Sequence, residues 1–359
     1  MLLTLSDYEA EAQARLTKPV WDFVTGGAGE DGTVRANRRA FDGWRFRPRV
    51  GIDVSSIDVS TKLLGCSWQA PIAIAPTALH ELCARDGELA TAPAAASVGL
   101  PFTVSTFGSR TIEELAASCP QAVLWQQVYV FKDRSVTASL VERAHAAGAG
   151  AILVTVDSPW LGRRHRDMRG EFAMPPGVIA RNLAASTGDD PDIVSPSAHS
   201  RRTMDPSLTW RDITWLSGLT DLPVVCKGVQ TGEDAVAARE AGAAAVVVSN
   251  HGGRQLEGAR ATLDALPEVV AAVGPDYPVL MDGGVRSGRD VLLALGLGAS
   301  AVLVGRPVLH GLAVAGTAGV AGVLTTLVEE LVDAMGHCGR TTLRAIGHDL
   351  VTPTLGARP

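Results

Sequence analysis

Short apolar runs alternate with longer stretches of helical periodicity along most of the chain. Eight runs predict buried strands: Pro71–Ala75, Pro101–Ser105, Ala122–Tyr129, Ala151–Val156, Pro223–Lys227, Ala244–Ser249, Pro278–Asp282 and Ala301–Gly305. Between them, Gly87–Val98, Ser135–Ala147, Thr231–Ala241, Thr262–Val273 and Gly288–Leu297 read as helices. The pairs Ala147-Gly148 and Ala241-Gly242 supply the glycine that a helix C-terminus favours. No antiparallel hairpin pattern interrupts the alternation, so the sheet is expected to be parallel. Eight strand–helix units close a (β/α)₈ barrel, and a doubly wound open sheet is the alternative topology. The strand ends favour the barrel. In chain order they carry Thr77, Ser105, Gln127 with Tyr129, Thr155 with Asp157, Lys227, Ser249 with His251, Asp282 and Arg306. In a barrel these residues ring one mouth, where active sites are built.

Two segments fall outside this pattern. Residues 1–70 are helical and then irregular, an N-terminal extension to a barrel spanning residues 71–335 of one domain over residues 1–359. Residues 170–208 follow the fourth strand and are rich in Ser, Asp, Pro and Arg, with the run Ser186-Thr187-Gly188-Asp189-Asp190-Pro191-Asp192. They are expected to form a mobile lid or a disordered cover over the mouth. Val308–Val328 contains no Asp, Glu, Lys or Arg and is long enough to span a bilayer. Its glycines and the absence of flanking aromatic residues predict instead two core helices, broken near Gly316-Thr317.

Composition narrows the function classes. A net charge of −6 argues against a nucleic-acid-binding surface and against attraction to anionic lipid. The five cysteines have no CxxC spacing, and the N-terminal residues lack a secretory-signal pattern. Together these predict a cytoplasmic protein with reduced thiols.

Chemistry concentrates at three strand ends. The sixth runs into Ser249-Asn250-His251-Gly252-Gly253-Arg254, placing a proton acceptor and an anion binder on a sharp turn. The seventh leads to Asp282-Gly283-Gly284-Val285-Arg286-Ser287-Gly288 and the eighth to Gly305-Arg306-Pro307. Glycines that free backbone N–H groups, a helix N-terminus and two arginines make a phosphate site. No GxGxxG or P-loop lysine motif is present. A phosphate site beside a reactive cluster at strands four to six leaves room for a flavin mononucleotide or, with Lys227 as Schiff base, pyridoxal phosphate. Bland readings stand beside these: Asp157 as a turn cap before Pro159, Lys227 snorkelling from its strand, Arg164 in a solvated basic run, and Tyr129 as a packing residue.

These motifs closely resemble the FMN-dependent L-2-hydroxy-acid oxidases and dehydrogenases. The resemblance extends to Trp21-Asp22-Phe23, Ala75-Pro76-Thr77-Ala78, Gln127-Val128-Tyr129, Thr155-Val156-Asp157 and Leu161-Gly162-Arg163-Arg164. Ser-Asn-His-Gly-Gly-Arg-Gln is specific to that family, whereas other phosphate-binding barrels share the Asp-Gly-Gly-Val-Arg element. The resemblance implies that His251 is the general base, with Asp157 behind it. Arg254 and Arg164 would hold the substrate carboxylate, and Tyr129 the substrate oxygen. Pro76, Thr77, Ala78, Ser105, Gln127, Thr155, Lys227 and Ser249 would line the isoalloxazine and ribityl of FMN. Asp282, Gly284, Arg286, Gly305 and Arg306 would take the ribityl hydroxyls and phosphate. The resemblance also implies a homo-oligomer, commonly a tetramer, and, through Ala78, oxygen as electron acceptor.

One departure bears on the substrate. Where glycolate-type members carry a carboxylate-binding tyrosine near Trp21, this chain is read as having Val24, and Phe107 stands where a tryptophan often follows strand two. Val24, Leu79, Phe107 and Trp160 near the mouth predict an apolar pocket suited to a bulky or aromatic acid. The run Trp160–Arg169 also resembles that of actinobacterial hydroxymandelate oxidases, so an (S)-mandelate-like or 4-hydroxymandelate-like acid is expected. Lactate or glycolate, a quinone or protein acceptor, a phosphate-binding barrel isomerase and a non-catalytic flavoprotein are the alternatives.

Overall fold

In the computed structural model, residues 2–170, 172–187 and 196–354 are described. Eight parallel strands close into a barrel: β1 (Ile72–Ile74), β2 (Phe102–Val104), β3 (Leu124–Val128), β4 (Ile152–Thr155), β5 (Val224–Val229), β6 (Ala245–Val248), β7 (Val279–Met281) and β8 (Ala301–Val304). Each lies inside one of the runs read from the sequence, apart from β5, which extends two residues beyond its run. β8 pairs with both β7 and β1, which excludes the open sheet.

The alternation within each strand explains both the apolar runs and the polar ends. Ala73, Trp125, Leu153, Val225, Val247, Leu280 and Leu303 pack in the barrel interior. Their neighbours, among them Ile72, Leu124, Ile152, Cys226, Val246 and Val302, belong to the outer cluster under the helices. Both faces are thus buried, so no polar stripe appears. Following the inward parity two residues on, Leu153 leads to Thr155, Val225 to Lys227, Val247 to Ser249 and Leu280 to Asp282. The chemistry is the top rung of the barrel interior.

The extension has three helices, α1 (Leu5–Arg15), α2 (Lys18–Thr25) and α3 (Gly32–Ala40). Among the barrel helices, α4 is Glu88–Val98, α5 Ile112–Ser118 and α6 Arg134–Ala146. Four follow β4: α7 (His165–Arg169), α8 (Arg181–Thr187), α9 (Pro196–Thr203) and α10 (Trp210–Ser217). The last are α11 (Gly232–Glu240), α12 (Thr262–Val273), α13 (Gly288–Gly296) and α14 (Arg306–His337).

Three expectations are corrected or refined here. Antiparallel pairing does occur. Thr61–Leu63 pairs with Cys66–Trp68 through Leu64 and Gly65, both at positive φ as a tight hairpin requires. Trp44–Phe46 pairs with Val351–Pro353. The hairpin is too short to show a period-two pattern, yet it packs Leu63 and Trp68 with the interior cluster, where Trp68 meets Trp125 edge-on at 5.5 Å. The segment 170–208 is not a structureless cover in its described part, since it forms α8 and α9; residues 171 and 188–195 lie outside the described residues. In α14 the helix breaks at Ala315 and Gly316, where φ reaches −151° and 56°. This helix is apolar and long enough to cross a membrane by length and composition. Its buried residues Val320, Val323, Leu324, Leu327 and Leu331 form a helical-period stripe within the core cluster.

Candidate active site

The barrel mouth opens into a cleft with about 1360 Å³ of space, part of it open to solvent. Its lining runs from Phe23 and Met174 to Arg286 and Arg306, so it spans both the reactive cluster and the loops after β7 and β8.

His251 stands in this cleft on a strained turn. Its φ is 58°, followed by 63° at Gly252 and 79° at Gly253. A non-glycine residue in the left-handed region costs about 1–3 kcal/mol and persists where its surroundings enforce it. The enforcement comes from Asn250 and α3. The Asn250 and Asn37 amides donate to one another's oxygens at 2.8 Å in both directions, and Asn250 Oδ1 also accepts from the Gly253 N–H at 2.9 Å. A Cβ at Gly253 would lie 2.7 Å from the Val34 nitrogen, so glycine is what lets α3 dock.

Behind the ring, His251 Nδ1 lies 3.0 Å from Asp157 Oδ1, while Asp157 Oδ2 is buried without a partner. This pairing leaves Nε2 as the atom available to the cleft. Burial, joined by the charges of Lys227 and Arg164, outweighs Asp157 and lowers the His251 pKa below the ordinary 6.5. Burial acts against ionised Asp157, but the His251 and Lys227 charges and the bonds from His251 and Ser158 prevail and hold it below the usual carboxylate range. The pair is therefore a neutral imidazole backed by a carboxylate. A bulge places Asp157: the β5–β6 register shifts between Lys227 and Val229, with Gly228 at φ 116°. A Cβ there would sit 2.6 Å from the Asp157 Cβ.

Arginines dominate the rest. Arg164 is buried, with Nε unpartnered and Asp167 at 3.8 Å. Arg254 donates to the carbonyls of Val24 and Gly26 at the end of α2, and its guanidinium lies 5.5 Å from the Phe23 ring centroid. Burial first, then Arg164 and Arg306, drives the Arg254 pKa well below its usual value. Arg306 donates to the Val24, Gly26 and Gly252 carbonyls, and burial with Arg286 brings its pKa to about 10. Arg286 donates to the Val285 carbonyl, and burial lowers its pKa too. Among the described residues these four cations line the cleft with only Asp167 paired to one of them. Like charges packed in a low-dielectric site call for anions. Tyr129, buried against Phe107 at 5.7 Å, has its pKa raised by burial and by Asp157, so it is a neutral hydroxyl donor.

The cofactor-side residues also converge. Pro76, Thr77, Ala78, Ser105, Gln127, Thr155, Lys227, Asp282, Gly284, Arg286, Gly305 and Arg306 all line the cleft. Gln127 Nε2 donates to Thr155 Oγ1 at 3.0 Å and Gln127 Oε1 accepts from the Thr106 N–H at 2.9 Å, which holds that amide in one orientation. Lys227 Nζ meets Asp282 Oδ2 at 2.9 Å. Burial works against the ammonium, but Asp282 and Asp157 hold its pKa above the ordinary value. Asp282 Oδ1 is buried with no partner, as an acceptor for ribityl hydroxyls would be. Arg286 and Arg306, bonded only to carbonyls, and the α14 N-terminus at Arg306 suit a phosphate. FMN fits this donor set.

Two residues do not face the cleft as expected. Ser249 is fully buried behind Lys227 and His251, accepting from Lys227 Nζ at 2.9 Å and from the His251 N–H at 3.0 Å. Trp160 is 45% exposed with the Arg201 guanidinium over its ring at 5.6 Å; Leu161, the next residue, turns inward instead. Val24, Leu79 and Phe107 do line the cleft. Phe23, one residue before Val24, was not anticipated there. It stacks on Phe172 at 4.3 Å and 13°. Met174 and Ala180 add to that apolar side. Sequence reading also missed Asn37 and Gly228, and it took Asn250 only as part of its motif, not as the clamp of the turn. A glycine directly after Lys227 was the one available sign of a bulge.

The comparisons with known proteins agree with this geometry. The model of the FMN-dependent dehydrogenase family matches residues 12–353. L-lactate oxidase from Nostoc sp. is 46% identical over 351 residues, covering 96% of each chain. 2-Hydroxyacid oxidase 1 from Homo sapiens is 43% identical, covering 98% of this chain and 96% of that one. The crystal structure of mandelate oxidase with (S)-4-hydroxymandelic acid superposes with a TM-score of 0.92 at 42% identity, covering 98% of this chain and 99% of that one. The chain belongs to the FMN-dependent dehydrogenase family and is an FMN-dependent oxidoreductase of the 2-hydroxy-acid oxidase type, acting on CH–OH donors.

Proposed function

We propose that this enzyme oxidises an (S)-2-hydroxy acid with an aromatic side chain, of the mandelate or 4-hydroxymandelate kind, to the 2-oxo acid, and passes the electrons to oxygen. The observation that carries the substrate class is the apolar side of the cleft, formed by Phe23, Val24, Leu79, Phe107, Leu161, Met174 and Ala180. A small acid would leave that surface wet, whereas an aryl group would bury it. The mandelate oxidase structures that superpose on the chain support the same class. Oxygen as acceptor is supported by the names of the oxidase relatives and by Ala78 on the cofactor side.

In this reading Arg164 and Arg254 take the carboxylate, a bidentate anion among cations that lack one. Tyr129 donates to the oxygen at C2. The His251 imidazole accepts a proton from the substrate at Nε2, and Asp157 stabilises the imidazolium that forms. Lys227, Asp282, Gln127, Arg286 and Arg306 hold FMN, which supplies the two-electron acceptor.

Anaerobic mixing of the holoenzyme with (S)-mandelate, lactate and glycolate tests the proposal. Flavin bleaching should be favoured for mandelate over lactate by at least about tenfold in kcat/KM. His251→Ala should retain FMN and lose about 10²- to 10⁴-fold in bleaching rate. Faster bleaching by lactate or glycolate would overturn the aromatic assignment. A second aerobic mix should re-oxidise the flavin without an added acceptor.

A further inference from the structure

The apolar side of the cleft includes two residues of the segment after β4, Met174 and Ala180, and that segment must be held in place to act as a wall. Asn182, in the first turn of α8, is fully buried. Its Nδ2 donates to the Ser105 carbonyl at 3.0 Å and to Gln126 Oε1 at 3.1 Å. Its Oδ1 accepts from Arg143 Nη2 at 3.2 Å and from the Ile112 N–H at 3.4 Å. Its backbone N–H donates to the Gly108 carbonyl at 3.2 Å, and its carbonyl accepts from Arg143 Nη1 at 2.8 Å. Every hydrogen-bonding group of the residue is used, and two acceptors on one side with two donors on the other permit a single amide orientation.

We propose that Asn182 is the positioning residue that pins the post-β4 wall to the barrel, and so sets how large a substrate side chain the cleft accepts. Its donors reach Ser105, directly after β2, and Gln126 in the middle of β3; Ser105 and Gln127, the residue after Gln126, line the cofactor side of the cleft. Its acceptors tie α8 to the start of α5 and to Arg143, which is itself held in a two-pronged pair with Glu113. Two residues upstream, Ala180 is 1% exposed and faces the cleft. Replacing the amide removes the polar anchor and leaves buried partners unsatisfied, which favours local release of α8 over collapse of the barrel. The effect on side-chain size rests on the reading that the apolar side receives the substrate's side chain; the anchoring of α8 does not.

The test uses FMN-loaded Asn182→Ala. Amides of Arg181–Thr187 should exchange at least about tenfold faster with solvent deuterium, while β3 and β6 amides and FMN content stay as in the parent. The KM for (S)-mandelate should rise about tenfold or more with kcat within about threefold, and the KM for lactate should change less than about twofold. Asn182→Asp keeps the acceptor side toward Ile112 and Arg143 and loses the donors; it should fall between the two in exchange rate, and it serves if the alanine variant does not fold. Unchanged α8 exchange in both variants would overturn the proposal, as would faster α8 exchange with equal KM increases for both acids. If the parent rejects mandelate altogether, the substrate reading fails, and the α8 exchange rates still decide whether Asn182 is the anchor.

Discussion

At the scale of single residues, the site turns on one imidazole held against its preference. His251 occupies a left-handed backbone conformation so that Nδ1 can meet Asp157 and Nε2 can face the substrate. Its pKa lies below 6.5, chiefly through burial, so the base is neutral at physiological pH. The sign of the rate dependence follows. Activity requires the unprotonated ring, so kcat/KM should fall in acid, with a half-point below 6.5. In Asp157→Asn the anion that raises the His251 pKa is gone. The half-point should move further into acid, and the plateau should drop about 10²- to 10⁴-fold. A pH profile of both proteins, with FMN content measured in parallel, checks this; an unchanged half-point would contradict the assigned pairing.

At the scale of elements, the site depends on a bulge as much as on side chains. Lys227 points inward beside Asp282 by ordinary alternation, and the irregularity directly after it, at Gly228, lets Asp157 approach from the end of β4. Gly228→Ala would put a methyl 2.6 Å from Asp157 at a backbone angle that disfavours any side chain. It should destabilise the holoenzyme by about 1–3 kcal/mol. The larger effect should be on rate, since displacing Asp157 by about 1 Å can cost about 10²-fold in kcat. Thermal melting together with turnover separates the two, and a stable variant of full activity would show that the bulge does not position Asp157. The Asn37–Asn250 amide pair acts at the same scale, tying α3 to the His251 turn.

At the scale of the whole molecule, buried titratable groups outside the chemistry shape stability. His310 is buried against Trp21 at 5.4 Å with neither ring nitrogen partnered, and burial with nearby Arg286 and Arg306 lowers its pKa to about 3. His80, hydrogen-bonded between Thr77 and Thr91, is also lowered to about 3, by burial. Groups with folded pKa values depressed below 6.5 contribute stability at higher pH that is lost as pH falls from 6.5 toward 3. Glu88 acts oppositely. Burial raises its pKa to about 7, so its contribution is complete below pH 4.5 and is lost as pH rises through 7. Between pH 6.5 and 4.5 the two effects oppose, so the holoenzyme melting temperature should fall from near neutrality into acid, most steeply below pH 4.5, and should level off above about pH 7. His310→Phe, which keeps a ring against Trp21, should flatten the acid side and leave the alkaline side unchanged. An acid slope identical to that of the parent would exclude His310 as a contributor.

Local pattern determined much of this protein by itself. Strand cores, the helices between them, the polar rungs at strand ends and the break in α14 were legible because each depends on residues close in sequence. The His-Gly-Gly-Arg turn, the paired phosphate-loop arginines and the cofactor were legible because a strand end carrying them has few other uses. Tertiary structure alone decided where side chains face. Ser249 looked available to a cofactor, yet it is fully buried and its oxygen accepts from Lys227 and the His251 N–H. Trp160 looked like a pocket wall, yet a one-residue change of direction gives that place to Leu161. Asn37 and Asn182 carried no local signal, and Phe23 none of its place in the cleft, because their partners lie tens to hundreds of residues away: Asn250, Ser105 with Gln126, and Phe172. The physical reason is the range of the interaction: periodicity and turn chemistry are set by neighbours in the chain, while hydrogen-bond partners and cleft walls are set by packing between distant segments.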